Sequence, residues 1–372
     1  MRNGRVRVAV NGYGVIGKRV ADAVGLQEDM ELAGVADVVS DHRIQVAVSR
    51  GYPVYASTPA GRAAMQAAGV PVAGTLDELL AQVDVVVDCT PKKVGAENRE
   101  RYRAAGVRSI WQGGEKHEVA GYSFVAQVNY AGALRRDSAR VVSCNTTALC
   151  RVSHALHRRG WIRRVRAVLL RRATDPWESH RNGMINTAVP ETRVPSHQGP
   201  DAQTVIPGLD ITTLAGAGPY NLSHLHYAMV ETTRPLDLEE LREALRAEPR
   251  IAFVRADEGL VALNSVMELM RDLGRPRGDM WEVAIWEDAL ATFQVHNEAI
   301  VVPETVDCIR ALTGIEPDAE ASIARTDAAL GIVSHFLPGA GSAAVGEAGK
   351  FRDAGFKGSE EPTDPPTRSA GK

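Results

Sequence analysis

Hydrophobic positions in the first 140 residues follow two periods that alternate along the chain. Apolar runs typical of buried strands cover 6–10, 31–36, 84–88 and 107–111, and amphipathic stretches typical of helices cover 17–25, 61–68 and 75–82. Strands that alternate with helices form a parallel, doubly wound sheet. The pattern therefore predicts an α/β domain over residues 1–140, whose ligands bind at the carboxyl ends of its strands.

The pattern changes after residue 140. Strand-like runs cover 164–171, 211–214, 224–230 and 281–286, and helix-like runs cover 145–158, 238–247, 264–273, 303–313 and 318–336. This order predicts an α+β domain with a mixed or antiparallel sheet over 141–302. We expect a C-terminal helix, about 303–338, to return to the first domain. Residues 343–372 are rich in Gly, Ser, Glu, Lys and Pro, which predicts a disordered tail.

A glycine-rich turn follows the first predicted strand. Gly12, Gly14 and Gly17 form a G-x-G-x-x-G pattern between that strand and a helical run. The first glycine permits a tight turn, the second lets a pyrophosphate approach the backbone, and the third lets the helix pack closely on the strand. The pattern predicts a Rossmann nucleotide-binding domain. The alternative is a tight glycine turn that binds nothing.

Asp37 ends the second predicted strand. A carboxylate at this point accepts hydrogen bonds from the ribose hydroxyls of NAD and repels the 2′-phosphate of NADP, so we expect NAD to be the favoured cofactor. NADP stays possible because His42, Arg43 or Arg50 can reach a 2′-phosphate. The alternative is a solvated aspartate without a ligand.

Cys144 lies between a short apolar strand and the helix-like run 145–158. Unpaired N–H groups and the helix dipole favour negative charge at a helix N-terminus. Such a position can lower the pKa of a thiol from about 8.5 to roughly 3.5–7.5, which produces a nucleophilic thiolate. Asn145, Thr146 and Thr147 add donors for an oxyanion. The alternative is a buried, inert cysteine.

Composition narrows the class of protein. The 372 residues carry a net charge of −3, with 24% charged and 44% hydrophobic residues, which is typical of a soluble globular protein. No basic excess points to nucleic acid, and no apolar run approaches the roughly 20 residues of a membrane span. The four cysteines show no zinc-like spacing, so we expect reduced thiols in a cytoplasmic protein without a metal site.

Six segments, taken together with their order along the chain, resemble those of a known protein family. They are 11–22, 111–115 with Gln-Gly-Gly-Glu, 143–148 with Ser-Cys-Asn-Thr-Thr, 171–173, 194–197 with Val-Pro-Ser-His, and 295–304. Together they resemble the archaeal-type (type II) glyceraldehyde-3-phosphate dehydrogenases over about residues 5–338. The Ser-Cys-Asn-Thr-Thr motif is common to the whole dehydrogenase family, whereas the Gln-Gly-Gly-Glu and Val-Pro-Ser-His motifs are more specific to the archaeal branch.

The resemblance implies a phosphorylating aldehyde dehydrogenase whose catalytic domain begins near Cys144. In such an enzyme Cys144 would attack D-glyceraldehyde 3-phosphate to form a thiohemiacetal, and a histidine would remove the hydroxyl proton as hydride leaves for NAD(P), which gives a thioester. Inorganic phosphate would then cleave that thioester to give 1,3-bisphosphoglycerate. The resemblance places the base at His224. From the residues alone, His224 and His226 share one face of a strand, and either can serve or both are ordinary polar residues. A protonated histidine beside Cys144 would lower the thiol pKa further.

The resemblance also implies binding positions and a homotetramer. It places cofactor contacts at Val15, Ile16, Gly114, Arg172 and Asn297 (where glutamine is common), and substrate contacts at Ser143, Cys144, Asn145, His197 and Gln198. We add Thr146 as an oxyanion donor and Arg171 as a phosphate ligand, because a guanidinium binds phosphate through two parallel hydrogen bonds. The alternative for the two arginines is a solvated basic pair.

Three other functions stay open at this stage. Erythrose 4-phosphate differs from the expected substrate by one CHOH group, and such a difference changes binding by only about 1–3 kcal/mol. Aspartate-semialdehyde dehydrogenases also form a thioester on cysteine, but their cysteine motif differs. A non-catalytic nucleotide- or RNA-binding protein is the remaining alternative, and the presence of both Cys144 and His224 argues against it.

Overall fold

The computed structural model describes residues 4–112 and 114–337. Gly113 and the predicted tail at 343–372 lie outside this range. Within the described residues, no helix is long and apolar enough to cross a membrane. All four cysteines of the chain are free.

The first half of the described chain builds a parallel sheet. Its strands are β1 (Val6–Asn11), β2 (Met30–Asp37), β3 (Val54–Ala56), β4 (Val72–Thr75), β5 (Val85–Asp88), β6 (Arg108–Trp111), β7 (Ser123–Phe124) and β8 (Ser138–Val141). They lie in the order β4-β3-β2-β1-β5-β6-β8-β7, and every neighbouring pair is parallel. Because the chain leaves β1 first towards β2 and later returns on its other side with β5, a crevice opens between the carboxyl ends of β1 and β5.

The second half of the described chain builds a mixed sheet. Its strands are β9 (Ile162–Arg171), β10 (Val189–Pro190), β11 (Ile211–Ala217), β12 (His224–Thr232), β13 (Ile251–Val254), β14 (Val283–Trp286) and β15 (Thr292–Val295). They lie in the order β10-β11-β9-β12-β15-β14-β13. The β9–β11 and β13–β14 pairs are parallel, and the other pairs are antiparallel.

Helices cover and connect the two sheets. They are α1 (Val15–Gly25), α2 (His42–Ser49), α3 (Pro59–Ala67), α4 (Leu76–Leu80), α5 (Val94–Ala104), α6 (His117–Ala120), α7 (Ala126–Ala133), α8 (Cys144–His157), α9 (Ser179–Asn182), α10 (Gln198–Gln203), α11 (Leu238–Arg246), α12 (Leu263–Asp272), α13 (Val301–Thr313) and α14 (Ala319–Leu330). Helix α8 contacts α7, and it also contacts β9 and β15 of the second sheet. Helix α13 packs against α1, α7 and β8. The start of α8 therefore lies where the two sheets meet.

The predicted fold class is confirmed: a Rossmann-type parallel sheet precedes an α+β region with a mixed sheet. The predicted helix start at Thr75 is also confirmed, since its side chain and that of Glu78 form a reciprocal capping box. The division into domains at 1–140 and 141–302 stays a prediction.

Two predicted helix limits are wrong. The run 318–336 is helical only over α14, because Gly331 follows Leu330 in the left-handed conformation, with φ of 66°, and ends the helix. The helix predicted from Pro303 begins earlier, at Val301. Proline is tolerated in the first turn of a helix, where its missing N–H group has no intrahelical partner.

Candidate active site

Cys144 is the first residue of α8, three residues after β8 ends. The Ser143 side chain caps the helix, because its Oγ accepts a hydrogen bond from the Thr146 N–H at 3.3 Å. The Asn145 and Thr146 side chains are buried. The strand-to-helix turn therefore presents the thiol of Cys144 at the helix N-terminus, as the sequence predicts.

His224, the first residue of β12, faces this thiol. Its Nε2 lies 3.6 Å from Cys144 Sγ. Its Nδ1 accepts a hydrogen bond from the backbone N–H of Arg172 at 3.0 Å. A neutral ring whose Nδ1 is an acceptor carries its proton on Nε2. This hydrogen-bond pattern therefore assigns an Nε2–H group pointing at the sulfur.

His226 shares the face of β12 but does not reach the thiol. The rings of His224 and His226 are parallel, with centroids 6.3 Å apart. The Nε2 of His226 lies 2.8 Å from Asn145 Oδ1, and the ring is fully buried. Of the two histidines that the sequence left open, only His224 contacts Cys144.

The predicted lowering of the Cys144 pKa is wrong for this structure. Burial is the largest effect and raises the pKa of Cys144 to about 11, although the Arg172 guanidinium and the N–H groups at the helix start act in the opposite direction. Burial also lowers the pKa of His224 well below its usual value, and His226 and Arg172 add to that shift. Burial therefore favours a neutral thiol beside a neutral imidazole, whereas the sequence predicts a thiolate.

A cavity of about 330 Å³ opens beside this pair. It is lined by Val15, Ile16, Gln112, Gly114, Ser143, Cys144, Arg172, Asp175, His224, Asn297, Glu298 and Val301. The cavity brings together eight of the positions named from the sequence, from six separate parts of the chain. The guanidinium of Arg172 is fixed beside it by an ion pair with Asp175.

The glycine turn approaches one end of this cavity. Gly12 has φ of 95°, and a Cβ there would lie 2.7 Å from the carbonyl carbon of Cys89. A Cβ on Gly17 would lie 1.8 Å from the Gly12 carbonyl oxygen, so only glycine allows α1 to start here. A Cβ on Gly14 would meet nothing within 4 Å, which leaves the backbone open to a ligand. These are the three geometries that a pyrophosphate-binding turn requires.

Asp37 is bound to the glycine turn. Its Oδ2 accepts a hydrogen bond from the Tyr13 N–H at 2.6 Å. Its Oδ1 accepts hydrogen bonds from the N–H groups of Val38, at 2.6 Å, and Val39, at 3.2 Å. The carboxylate therefore accepts hydrogen bonds from three backbone N–H groups at the end of β2 and places a negative charge beside the glycine turn.

The remaining predicted substrate positions do not line the cavity that contains Cys144. His197 lines a neighbouring cleft of about 940 Å³, together with Lys92 and Arg193, and this cleft also reaches Gly114. Arg171 forms an ion pair of 3.0 Å with Glu191, which lines the same cleft. Gln198 is fully buried, and neither of its amide atoms has a hydrogen-bond partner among the described residues.

Comparisons with known proteins agree with this architecture. Residues 143–274 match the family described as glyceraldehyde 3-phosphate dehydrogenase, C-terminal domain, and residues 6–113 match that described as dihydrodipicolinate reductase, N-terminus. The chain is 45% identical to the glyceraldehyde-3-phosphate dehydrogenase of Methanosarcina mazei over 338 residues, which are 88% of this chain and 99% of the relative. It is 44% identical to that of Methanothermobacter thermautotrophicus over 337 residues, or 88% of this chain and 100% of the relative. The chain belongs to the glyceraldehyde-3-phosphate dehydrogenase family.

As a member of the glyceraldehyde-3-phosphate dehydrogenase family, the chain is an oxidoreductase that uses a nicotinamide cofactor, and its cavity fits that group. Val15 and Ile16 supply an apolar wall for a flat ring. The Asn297 Oδ1 and the Gln112 Oε1 are buried, and neither has a hydrogen-bond partner among the described residues. A carboxamide donates through two N–H groups, so it can satisfy acceptors of this kind.

Gln112 also lines the cavity, although the sequence assigned it no role beyond its place in the Gln-Gly-Gly-Glu motif at a strand end. Its Nε2 donates to Thr305 Oγ1 at 3.0 Å, and the Thr305 hydroxyl donates in turn to the Val301 carbonyl at 2.8 Å. The signal was its place directly after β6, in the Gln-Gly-Gly-Glu motif. Glu298 also lines the cavity, where it forms an ion pair with Arg19 of α1. It lies in the 295–304 segment of the family resemblance, but the sequence indicated no role for it.

Proposed function

We propose that this protein oxidises D-glyceraldehyde 3-phosphate to 1,3-bisphosphoglycerate with NAD(P) and inorganic phosphate, in a reversible reaction. The observation that carries the proposal is the distance of 3.6 Å between Cys144 Sγ and His224 Nε2. At this distance the thiol of Cys144 lies next to a proton-bearing imidazole ring. Both residues line a cavity that fits a nicotinamide. Family membership supports the same reaction class.

The proposed reaction begins when Cys144 loses its proton to solvent and its sulfur adds to the aldehyde carbon. The carbonyl oxygen becomes the oxyanion of a thiohemiacetal, and the Nε2–H of His224 is positioned to donate a hydrogen bond to it. A bound nicotinamide supplies the hydride acceptor. Loss of hydride from the carbon leaves a thioester on Cys144. A phosphate oxygen then attacks that thioester, the C–S bond breaks, and the thiolate leaves.

His224 has two proposed roles, which need different protonation states. As a hydrogen-bond donor it uses the tautomer that the Arg172 N–H selects. As the base named from the family resemblance it must accept a proton on Nε2, which requires Nδ1 to carry the proton and to turn away from the Arg172 N–H. We propose donation during addition as its first role, because this needs no rearrangement.

Both phosphates of the reaction have cationic partners near Cys144. The Arg172 guanidinium lies at the cavity, while Lys92, Arg193 and His197 line the adjoining cleft. Arg171 is held at the edge of that cleft by Glu191. We propose that these groups bind the substrate phosphate and the attacking phosphate, because guanidinium groups match phosphate oxygens with paired hydrogen bonds.

We propose NAD rather than NADP as the preferred cofactor. The Asp37 carboxylate already occupies the backbone donors at the end of β2 and repels a 2′-phosphate. Arg43 forms a bidentate pair with Asp41, and Arg50 forms an ion pair of 2.9 Å with Asp22. Each arginine would have to leave its carboxylate to receive that phosphate, while the Asp37 charge opposes the phosphate at the same place. The substitution Asp37→Ser should raise the ratio of kcat/KM for NADP to kcat/KM for NAD, as measured by steady-state kinetics. An unchanged ratio would refute this assignment.

We propose a homotetramer in the cytoplasm. Support comes from the outer face of the second sheet, where Val168 pairs with both Leu214 and Tyr227, and Met229 follows on the same face. These four apolar side chains are 37–58% exposed. Contiguous exposed apolar side chains mark contact surfaces. Sedimentation equilibrium of the full chain measures the oligomeric state directly.

A steady-state assay tests the proposed activity. We expect reduction of NAD to require both D-glyceraldehyde 3-phosphate and inorganic phosphate, and Cys144→Ala to lower kcat/KM by at least about 10⁴-fold. Erythrose 4-phosphate and aspartate semialdehyde serve as comparison substrates. A higher kcat/KM with either compound would identify that compound as the substrate in place of D-glyceraldehyde 3-phosphate. Nucleotide binding without any turnover would favour the non-catalytic alternative.

A further inference from the structure

A second cationic cavity lies at the opposite edge of the parallel sheet. Its volume is about 540 Å³, and it is formed where α5 ends and where β6 and β8 begin. It is lined by Arg99, Arg103, Gly106, Val107, Arg108, Ser109, Trp111, Asp137 and Ser138. We call it the arginine cup. Because β6 and β8 run from the cup towards Gly114 and Cys144, the cup and the active site lie at opposite ends of the same two strands.

The three arginines of the cup lack ionic partners. Among the described residues, no carboxylate oxygen lies within 4 Å of the guanidinium nitrogens of Arg99, Arg103 or Arg108, although Asp137 lines the same cavity. Arg108 Nε is buried without a hydrogen-bond partner. Arg101, on the same helix, differs: its Nε lies 2.6 Å from Asp77 Oδ1.

Three unpaired guanidinium groups around one cavity create an unbalanced positive charge. An arginine side chain cannot lose its charge by deprotonation, and Asp137 is the one carboxylate among the residues that line the cup, so the wall keeps a net positive charge that attracts an anion. Arg99 and Arg103 are exposed, which leaves their guanidinium groups accessible to a ligand from solvent. Ser109 and Ser138 add hydroxyl groups to the wall. Guanidinium groups bind phosphate oxygens in pairs of parallel hydrogen bonds, and three of them match an anion with more than one phosphate group.

We propose that the arginine cup binds a small polyphosphate or bisphosphate through its phosphate groups alone. The cup offers no aromatic surface for a nucleobase, because Trp111 is 2% exposed and its Nε1 donates to the Gly95 carbonyl at 3.1 Å. Val107 is also buried. The guanidinium groups are the remaining planes on which a base could stack, and in this proposal they bind phosphate oxygens instead. The cavity volume lies within the range of small-molecule sites, about 300–1,000 Å³.

Isothermal titration calorimetry with inorganic tripolyphosphate tests this site on the full chain. Saturating NAD is present so that the cofactor site is filled. Because the proposed substrate site also binds phosphate, we expect the parent to bind one more tripolyphosphate per chain than the Arg99→Ala/Arg103→Ala variant, and removal of each guanidinium singly should weaken binding at the cup by about tenfold or more. Arg101→Ala is the matched control and should bind as the parent does. Equal binding by the parent and the Arg99→Ala/Arg103→Ala variant, or no binding by the parent, would overturn the proposal.

Two further arms define the ligand. Affinity should fall from tripolyphosphate to pyrophosphate to orthophosphate, and it should weaken as the salt concentration rises, because the contacts are ionic. ATP should bind no more tightly than tripolyphosphate. Tighter binding of ATP, or of a single-stranded oligonucleotide, would refute recognition of the phosphates alone. Dehydrogenase activity should be unchanged in the Arg99→Ala/Arg103→Ala variant, so failure of this proposal leaves the proposed function intact.

Discussion

At the scale of single residues, Cys144 shows two physical effects in opposition. The helix N-terminus and Arg172 favour a thiolate, and the sequence reveals both features. Desolvation opposes them and is larger, but it depends on how closely the two sheets pack around the sulfur, which no local pattern records. The position of the nucleophile was therefore predictable from its motif, whereas the protonation state of the Cys144–His224 pair was not.

The pH dependence of Cys144 alkylation reports this protonation state. Because the pKa of Cys144 is raised to about 11, the thiolate fraction should rise about tenfold per pH unit across the neutral range. Iodoacetamide reactivity, followed by mass spectrometry of the Cys144 peptide, should climb from pH 7 to pH 10. Cys144→Ala corrects for reaction at the other thiols. If the reactivity instead reached a plateau below pH 7, Cys144 would be a thiolate paired with a protonated His224, which burial disfavours.

Substitutions of His224 separate hydrogen-bond donation from base catalysis. Glutamine places an N–H group near the position of Nε2 but cannot accept a proton at neutral pH. If His224 acts first as a donor, His224→Ala should slow formation of the thioester by about 10²–10³-fold, while His224→Gln retains most of the rate. Single-turnover stopped flow of NADH formation measures this step. Equal losses in the two variants would assign the base role to His224 from the start.

At the scale of elements, the strongest sequence signals matched the structure and the short ones did not. The glycine turn, the buried strand β5 and the capped start of α4 each carry a signal over several residues. Strands β13 and β15 span four residues each and were not predicted. A run of four residues does not distinguish a strand from part of a helix by its period. Pairing with neighbouring strands fixes both: β13 pairs with β14, and β15 pairs with β12 and β14.

Helix α1 offers a matched pair of glycine substitutions. Gly17→Ala would place a methyl group 1.8 Å from the Gly12 carbonyl oxygen, so the turn must shift. We expect a loss of about 3 kcal/mol or more in the free energy of unfolding, together with weaker NAD binding. Gly25→Ala, at the other end of α1, meets nothing within 4 Å and should stabilise the protein by about 0.4–1 kcal/mol. Urea denaturation and NAD titration measure both effects, and similar results for the two variants would disprove the steric argument.

At the scale of the whole molecule, buried ion pairs connect elements that are far apart in sequence. Glu304 of α13 is fully buried, and its Oε1 lies 2.5 Å from Arg151 of α8 and 3.1 Å from Arg250, which precedes β13. Its Oε2 accepts a hydrogen bond from the Ala126 N–H of α7 at 2.6 Å. No local sequence pattern predicts this cluster, because its members lie up to 178 residues apart in the chain.

Glu304→Gln tests the contribution of this cluster. Burial acts to raise the pKa of Glu304, but Arg151 and Arg250 outweigh it and hold that pKa below its usual value. Removing the carboxylate leaves two buried guanidinium groups without full compensation, so we expect a loss of about 3–5 kcal/mol at pH 7.

The pH dependence of that loss has a defined sign. A carboxyl group whose pKa is lower in the folded state stabilises the protein above its unfolded-state pKa, about 4.3 for glutamate, and the contribution disappears as the pH falls through the folded-state value. Urea denaturation at pH 7 and at lower pH should therefore show a shrinking difference between the variant and the parent. Glu239→Gln is the control: Glu239 is an exposed partner of Arg246, at 2.9 Å, and should change stability by no more than about 1 kcal/mol. Equal losses in Glu304→Gln and Glu239→Gln would contradict the role of the buried cluster.

Trapping the covalent intermediate tests most directly that Cys144 carries the substrate. The full chain is mixed with NAD and D-glyceraldehyde 3-phosphate without inorganic phosphate, quenched in acid, and digested for peptide mass spectrometry. We predict one NADH per chain and a 3-phosphoglyceroyl group on the Cys144 peptide. This acyl group should disappear when phosphate is added before the quench. NADH formation without a modified Cys144, or with the acyl group on Cys89, Cys150 or Cys308, would contradict the proposed chemistry.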